Sequence, residues 1–346
     1  MTRNQDRQPT DKTGSEPTTE RNPPGEPPEP EMEWIPGGTF RMGSERFYPE
    51  EAPVREVTVD GFWMNRAPTT NREFAAFVDD TGYTTVAERD PNPKDYRRVD
   101  PDDLVAGSAV FRQPDGEVDL QDPNQWWEYV PGADWRHPLG PDSSIRGKMD
   151  HPVVHVAYED AVAFVEWAGK TLPTEAQWER AARGGLDGKG FVWGDKHVPD
   201  GQLMANTWQG EFPHENKALD GYERTSPVGE FPANGFGLHD TAGNVWEWTR
   251  DWYSADPTNG AAESPSCCTP TNPGGVSEEQ SVDPRDPAEI PRKVLKGGSH
   301  LCAPNYCFRY RPAARYPEPV DTSTSHVGFR CVISPQDTTV HDRKPS

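Results

Sequence analysis

Apolar residues recur at helical spacing in three places along the chain. Thr70-x-x-Glu73 forms a capping box, and Phe74, Phe77 and Val78 follow on one face, which predicts a helix over 70–81. Ala161, Val162, Phe164, Val165 and Ala168 predict a second over 158–168. A third begins at Thr174-x-x-Gln177, just after Pro173, and stops at Gly184-Gly185. Strand signals are as sparse. Trp34–Phe40 reads as a strand entering a tight turn, and 54–59 is β-branched. Two late strands are expected over 293–300 and 326–333; in the second, Val327, Phe329, Cys331 and Ile333 share one face by alternation. No further helix is expected after Gly185, where turn dipeptides such as Asn234-Gly235, Gly243-Asn244 and Gly297-Gly298 take over. Two polar stretches, about 84–150 and 254–291, lack periodicity and read as excursions from the core. The expected class is α+β: a single loop-rich domain of low secondary-structure content.

Composition sets the limits of that domain. Residues 1–31 hold seven Pro and no Val, Ile, Leu, Ala or aromatic residue, so they cannot bury enough surface to offset their ordering entropy and are expected to be disordered. The folded domain is expected over 32–335, with a polar tail at 336–346. Only 32% of the 346 residues are hydrophobic, yet 12 are Trp, so the core must lean on aromatic rings. With 35 Lys+Arg against 57 Asp+Glu the net charge is −22, which argues against nucleic acid as a partner. No apolar run reaches the roughly 18 residues of a membrane helix, and no basic-then-apolar leader opens the chain.

Five cysteines are unevenly placed. Cys267 and Cys268 are adjacent in a polar excursion and read as surface thiols; Cys331 lies on the apolar face of the last strand as a small buried hydrophobe. An odd count without a leader fits a reducing, cytoplasmic setting. Cys302 and Cys307 differ. Gly297-Gly298 precedes them, Pro304 constrains the loop between them, and Arg309, Arg311 and Arg315 follow; nearby cations favour the thiolate. From spacing alone a loop disulfide, two unrelated thiols or a metal site all stay open. Two thiolates without further ligands would best suit a soft ion, Cu(I) foremost.

Two segments collect hard oxygen donors: 206–222, with Asn206, Thr207, Asp220 and Tyr222, and 240–248, with Asp240, Gly243, Val245 and Glu247. Such loops can offer carboxylates and carbonyls to Ca²⁺, though neither matches an EF-hand, and ordinary Asx turns are the alternative.

The motif Gly297-Gly298-Ser299-x-x-Cys302-x-x-x-Tyr306-Cys307-x-Arg309-x-Arg311, closed by Gly328-Phe329-Arg330-Cys331, resembles the formylglycine-generating enzymes, also called sulfatase-modifying factors. Leu172-Pro173-Thr174-Glu175 and Gly243-Asn244-Val245-Trp246-Glu247-Trp248 are shared with the wider superfamily; the two cysteines select this branch. The likeness spans Trp34 to Ile333. It implies a C-type-lectin-like fold, and Cu(I) held by Cys302 and Cys307. It implies Ca²⁺ at Asn206, Thr207, Asp220 and Tyr222, and again at Asp240, Gly243, Val245 and Glu247. The implied reaction oxidises the cysteine of a Cys-x-Pro/Ala-x-Arg motif in a nascent sulfatase polypeptide to Cα-formylglycine. O₂ accepts four electrons and thiol-to-aldehyde conversion supplies two, so a thiol reductant must supply the rest. Ser299 and Tyr306 are expected to orient the reactants, Trp246 and Trp248 to wall the pocket, and the enzyme to act as a monomer. Two alternatives are a non-catalytic lectin-like module, which leaves the cysteine pair unexplained, and an iron-dependent sulfoxide synthase, for which no His-x-x-x-His-x-Glu pattern occurs.

Overall fold

The computed structural model describes residues 22–93, 100, 104–259, 269–286 and 288–335. Most of the Pro-rich opening, Cys267, Cys268 and the 336–346 tail lie outside them. The end of that opening is tied down: Lys170 Nζ reaches Glu29 at 2.5 Å and Arg66 pairs with Glu31 at 3.2 Å.

The three predicted helices form where their caps place them. Helix α1 (Asn71–Thr81) starts at Thr70, whose side chain and that of Glu73 satisfy each other's backbone N–H groups, and ends at Gly82 in the left-handed region. Helix α2 covers Tyr158–Trp167 and α3 covers Glu175–Ala182, capped by Thr174 and Gln177. Contrary to expectation a short α-helical turn follows, α4 (Glu278–Ser281).

Strands β1 (Met32–Ile35) and β4 (Phe62–Asn65) pair antiparallel, and β2 (Gly38–Met42) pairs with β3 (Arg55–Val59). The 84–150 excursion is less formless than its sequence. It carries a hairpin of β5 (Gly107–Phe111) and β6 (Trp127–Pro131). A four-stranded sheet runs β10-β7-β8-β9, with β7 at Trp246–Trp252, β8 at Arg292–Lys296, β9 at Arg315–Pro319 and β10 at Val327–Gly328. The single strand expected over 326–333 is two. Strand β10 pairs parallel with β7, whereas β11 (Val332–Ile333) joins β4 in the other sheet. The crossing residue, Arg330, is fully buried and forms a bidentate pair with Glu247 at 2.6 and 2.7 Å, so the chain bends where that pair is made. The strand expected over 293–300 likewise ends at Lys296, because Gly297 and Gly298 turn with φ of 93° and 69°.

The principal core gathers Phe74, Phe77, Phe164, Trp178, Trp248 and Phe329 among others. Aromatic rings replace the missing aliphatics, as the composition required. Buried ion pairs pin the elements to one another: Arg311 with Glu51, Arg315 with Glu175, and Lys296 with Glu179 at 3.0 Å. Among the described residues no helix is long and apolar enough to cross a membrane.

Candidate active site

The site is built on the loop after β8. A Cβ on Gly298 would lie 2.8 Å from Tyr310 N, so only glycine lets the two limbs of the loop approach. Two successive turns then bring the cysteines together. Cys302 N donates to Ser299 O at 2.9 Å, and Cys307 N to Ala303 O at 2.8 Å. The two Sγ atoms lie 3.0 Å apart, unbridged, with Cys302 buried and Cys307 partly exposed.

The pair has a defined electrostatic character. The hydrogen bond from Cys302 lowers the Cys307 thiol, burial opposes this, and the Arg309 guanidinium adds to the lowering. Burial, together with that same bond and the charge of Cys307, pushes Cys302 well up, although Ser299 N donates to its sulfur at 3.4 Å. Both shifts run in the same sense, favouring the proton on Cys302 and ionisation of Cys307 before it. Arg309 is fixed for this role by Glu50 at 2.7 Å and by the Tyr48 ring, 3.7 Å from its guanidinium carbon.

Both cysteines open onto a cavity of about 410 Å³. Ser299, Tyr306 and Trp246 line it. Ser299 is fully buried and its Oγ accepts from Leu301 N at 3.2 Å. Tyr306 stacks on Phe212 with centroids 4.6 Å apart and meets the edge of Trp126 at 5.5 Å. Trp248 does not wall the pocket: it points into the core, where its Nε1 donates to Val156 O at 3.0 Å. Residues absent from the sequence-based set also line the cavity, notably Trp126, Trp127, Tyr316 and Glu318. The adjacent Trp126-Trp127 inside a polar excursion was the one visible signal; Tyr316 and Glu318 arrive only because β9 pairs with β8.

The oxygen-rich loops frame the cysteine loop. Trp208 N donates to Cys302 O at 3.1 Å, His300 N to Asn244 O at 3.0 Å, and Gly243 N to Gly297 O at 3.0 Å. In the first set, Asn206 Oδ1 is buried without a partner, Tyr222 N donates to Asp220 Oδ1 at 3.0 Å, and Gln209 Nε2 contacts both Thr207 O and Asp220 Oδ2. Those donors fit a hard cation, which would satisfy the orphaned Asn206 oxygen. The second set is committed differently. Glu247 accepts from Arg330 on both oxygens and from Trp178 Nε1 at 2.8 Å, and Arg330 also reaches Asp240 O at 3.1 Å. Gly229 N donates to Asp240 Oδ2 at 2.8 Å, while Gly243 and Val245 are held in the same buried loop. A cation there would share Glu247 with Arg330.

Two imidazoles behind the site are buried. Burial pushes His155 and His300 down to about 4 each, with His155 hydrogen-bonded to Ser108 at 2.7 Å and Pro138 O at 2.9 Å. Both stay neutral in the folded protein at pH 5, where the unfolded chain would be protonated. Each therefore removes stability as the pH falls from about 6.5 toward 4. NMR titration checks this: both rings should read neutral at pH 5, and a midpoint above 6 for either would contradict the packing described.

A sulfatase-modifying factor enzyme 1-like domain model matches residues 18–335. The formylglycine-generating enzyme of Mycobacterium tuberculosis is 55% identical over 305 residues, covering 87% of this chain and 97% of that protein. The enzyme of the same name from Thermomonospora curvata is 47% identical, covering 87% and 92%. Among solved structures, PvdO from Pseudomonas aeruginosa superposes with a TM-score of 0.56 at 24% identity, covering 87% and 93%, a likeness of fold. The paired sulfurs on their double turn, the fold and the near-complete coverage of these relatives agree: the chain is an enzyme of the sulfatase-modifying factor family, that of the formylglycine-generating enzymes.

Proposed function

We propose that the protein oxidises the cysteine of a Cys-x-Pro/Ala-x-Arg motif in an unfolded or nascent sulfatase polypeptide to Cα-formylglycine, using O₂ and a thiol reductant. The observation that carries this reading is the unbridged cysteine pair, 3.0 Å apart at the wall of an open aromatic cavity. Two sulfurs 3.0 Å apart, with no hard donor in the set, suit Cu(I). When bound by Cys302 and Cys307, Cu(I) supplies the capacity to engage a third sulfur and to activate O₂. The chain's own residues do the remainder. The Cys302 hydrogen bond and Arg309 favour ionisation of Cys307, Ser299 N steadies the Cys302 sulfur, and Trp126, Phe212 and Tyr306 provide flat apolar walls against which an extended peptide can lie. The substrate cysteine loses sulfur and two hydrogens and gains one oxygen. Its sulfur leaves as sulfide, two electrons pass to O₂, and the reductant supplies two more. The odd cysteine count favours a cytoplasmic setting.

Titration with Cu(I) under reducing, anaerobic conditions tests the metal assignment. One ion per chain is expected, and its affinity should rise with pH because Cys302 must lose its proton on binding. Binding that persists in the Cys302→Ser, Cys307→Ser double variant would overturn it.

Ca²⁺ is assigned to Asn206, Asp220 and the carbonyls of Thr207 and Tyr222, on the orphaned Asn206 acceptor. Because Trp208 N holds Cys302 O, the ion would order the cysteine loop as well as its own. Saturating a site at about 100 times its Kd adds about 2.7 kcal/mol. Chelation should therefore lower Tm by about 3–5 °C, with Ca²⁺ restoring it. An unchanged Tm would remove the assignment. The second set, Asp240, Gly243, Val245 and Glu247, rests on the family resemblance.

A further inference from the structure

Two charged side chains of the described residues line the cavity beside the cysteine pair, Arg309 and Glu318. Arg309 is already matched by Glu50 and the Tyr48 ring. Glu318 has no such match. Its neighbours are the Thr322 hydroxyl and a second carboxylate, Asp321, and the walls around it withdraw water; together burial and Asp321 push its carboxyl up to about 8. Its cross-strand partner on β8, Lys293, would be the natural counter-ion. That ammonium is turned elsewhere, to Arg250 O at 2.7 Å and over the Trp252 ring at 3.4 Å. Among the described residues Glu318 is therefore a cavity carboxylate without a cation, beside another carboxylate. Such a group costs stability in the free enzyme, and that cost is offset when a cation arrives. The Tyr316 ring, which also lines the cavity, already has the Arg309 guanidinium 5.5 Å from its centroid, so the cation-accepting group left in the cleft is Glu318.

We propose that Glu318 is a specificity residue of the cleft, accepting a basic side chain of the substrate peptide. This rests on the reading of the cavity as the formylglycine-generating site and adds the group that reads the substrate's charge. The cation can come from the arginine of the Cys-x-Pro-x-Arg motif or from a basic residue flanking the motif, and the two sources separate experimentally.

The test is a double-mutant cycle between enzyme and peptide. Wild type, Glu318→Gln and Glu318→Lys are assayed for aldehyde on three peptides: the parent, one with the motif arginine replaced by alanine, and one with flanking basic residues replaced. Binding is read in parallel from tryptophan fluorescence, using versions in which serine replaces the reactive cysteine. Removing the cation that Glu318 reads should cost wild type about 10–100-fold in kcat/KM and a comparable factor in Kd. Glu318→Gln should lose a similar factor on the parent and almost nothing more on the cation-free peptide, and Glu318→Lys should invert the preference toward an acidic replacement. The arm in which coupling appears identifies the source of the cation. Equal dependence on every basic residue in wild type and Glu318→Gln would overturn the proposal. Absence of aldehyde from wild type on every peptide would instead overturn the reading of the site, while the fluorescence cycle would still report on Glu318.

Discussion

Serine at either Cys302 or Cys307 is expected to abolish aldehyde formation, lowering it by well over about 100-fold with little change in stability. Loss of a residue that merely supports a metal ligand costs about 10–100-fold, so loss of a sulfur ligand must exceed that. Folding should survive, since serine is nearly isosteric and Cys307 already reaches the cavity surface. The control lies in the same chain. Cys331 is buried against Thr69, and burial pushes its thiol up to about 12, so it stays protonated and unreactive. Cys331→Ser should keep its activity while losing some stability. Retained activity in Cys302→Ser or Cys307→Ser would remove the thiolate pair from the chemistry. Activity lost equally in Cys331→Ser would show that the assay reports folding.

Arg330→Met should destabilise the protein by about 3–5 kcal/mol, a fall in Tm of about 5–8 °C for a domain of about 300 residues. The guanidinium is fully buried at the crossing between the two sheets, where it satisfies both oxygens of Glu247 and the carbonyls of His239 and Asp240. Its removal leaves the Glu247 carboxylate in the core with Trp178 Nε1 as its surviving strong donor. Most of the effect is the cost of that stranded charge, so the Arg330→Met, Glu247→Gln double variant should lose less than the two single losses added together. Thermal unfolding of the four proteins decides it. A single-variant loss under about 1 kcal/mol would mean that water reaches the pair.

Local signals were legible wherever one residue's chemistry determines the backbone. Capping boxes at Thr70 and Thr174 located their helices to within a residue or two, and the glycines at 297–298 ended a strand and began the site. The cysteine pair was legible as well, because two local turns over Ser299–Cys307 bring Cys302 to Cys307. What sequence reading missed depends on partners distant in the chain. Alternation made 326–333 look like one strand, but Arg330 must meet Glu247, and the strand breaks there. Trp246 and Trp248 share a face by spacing, yet Trp246 lines the cavity while Trp248 donates to Val156 O in the core, a difference set by what packs against each ring rather than by spacing. Glu318 had no local mark at all. Its importance comes from Lys293 turning away to Arg250 and Trp252, a tertiary fact no spacing encodes.

The central claim is tested most directly by mass spectrometry of a peptide carrying Cys-x-Pro-x-Arg, before and after incubation with the copper-reconstituted enzyme, O₂ and a thiol reductant. The account predicts a product that has exchanged one sulfur and two hydrogens for one oxygen, that captures an aldehyde-reactive hydroxylamine, and that requires both Cys302 and Cys307. A peptide recovered with its thiol intact, from enzyme shown to hold one copper per chain, would contradict it.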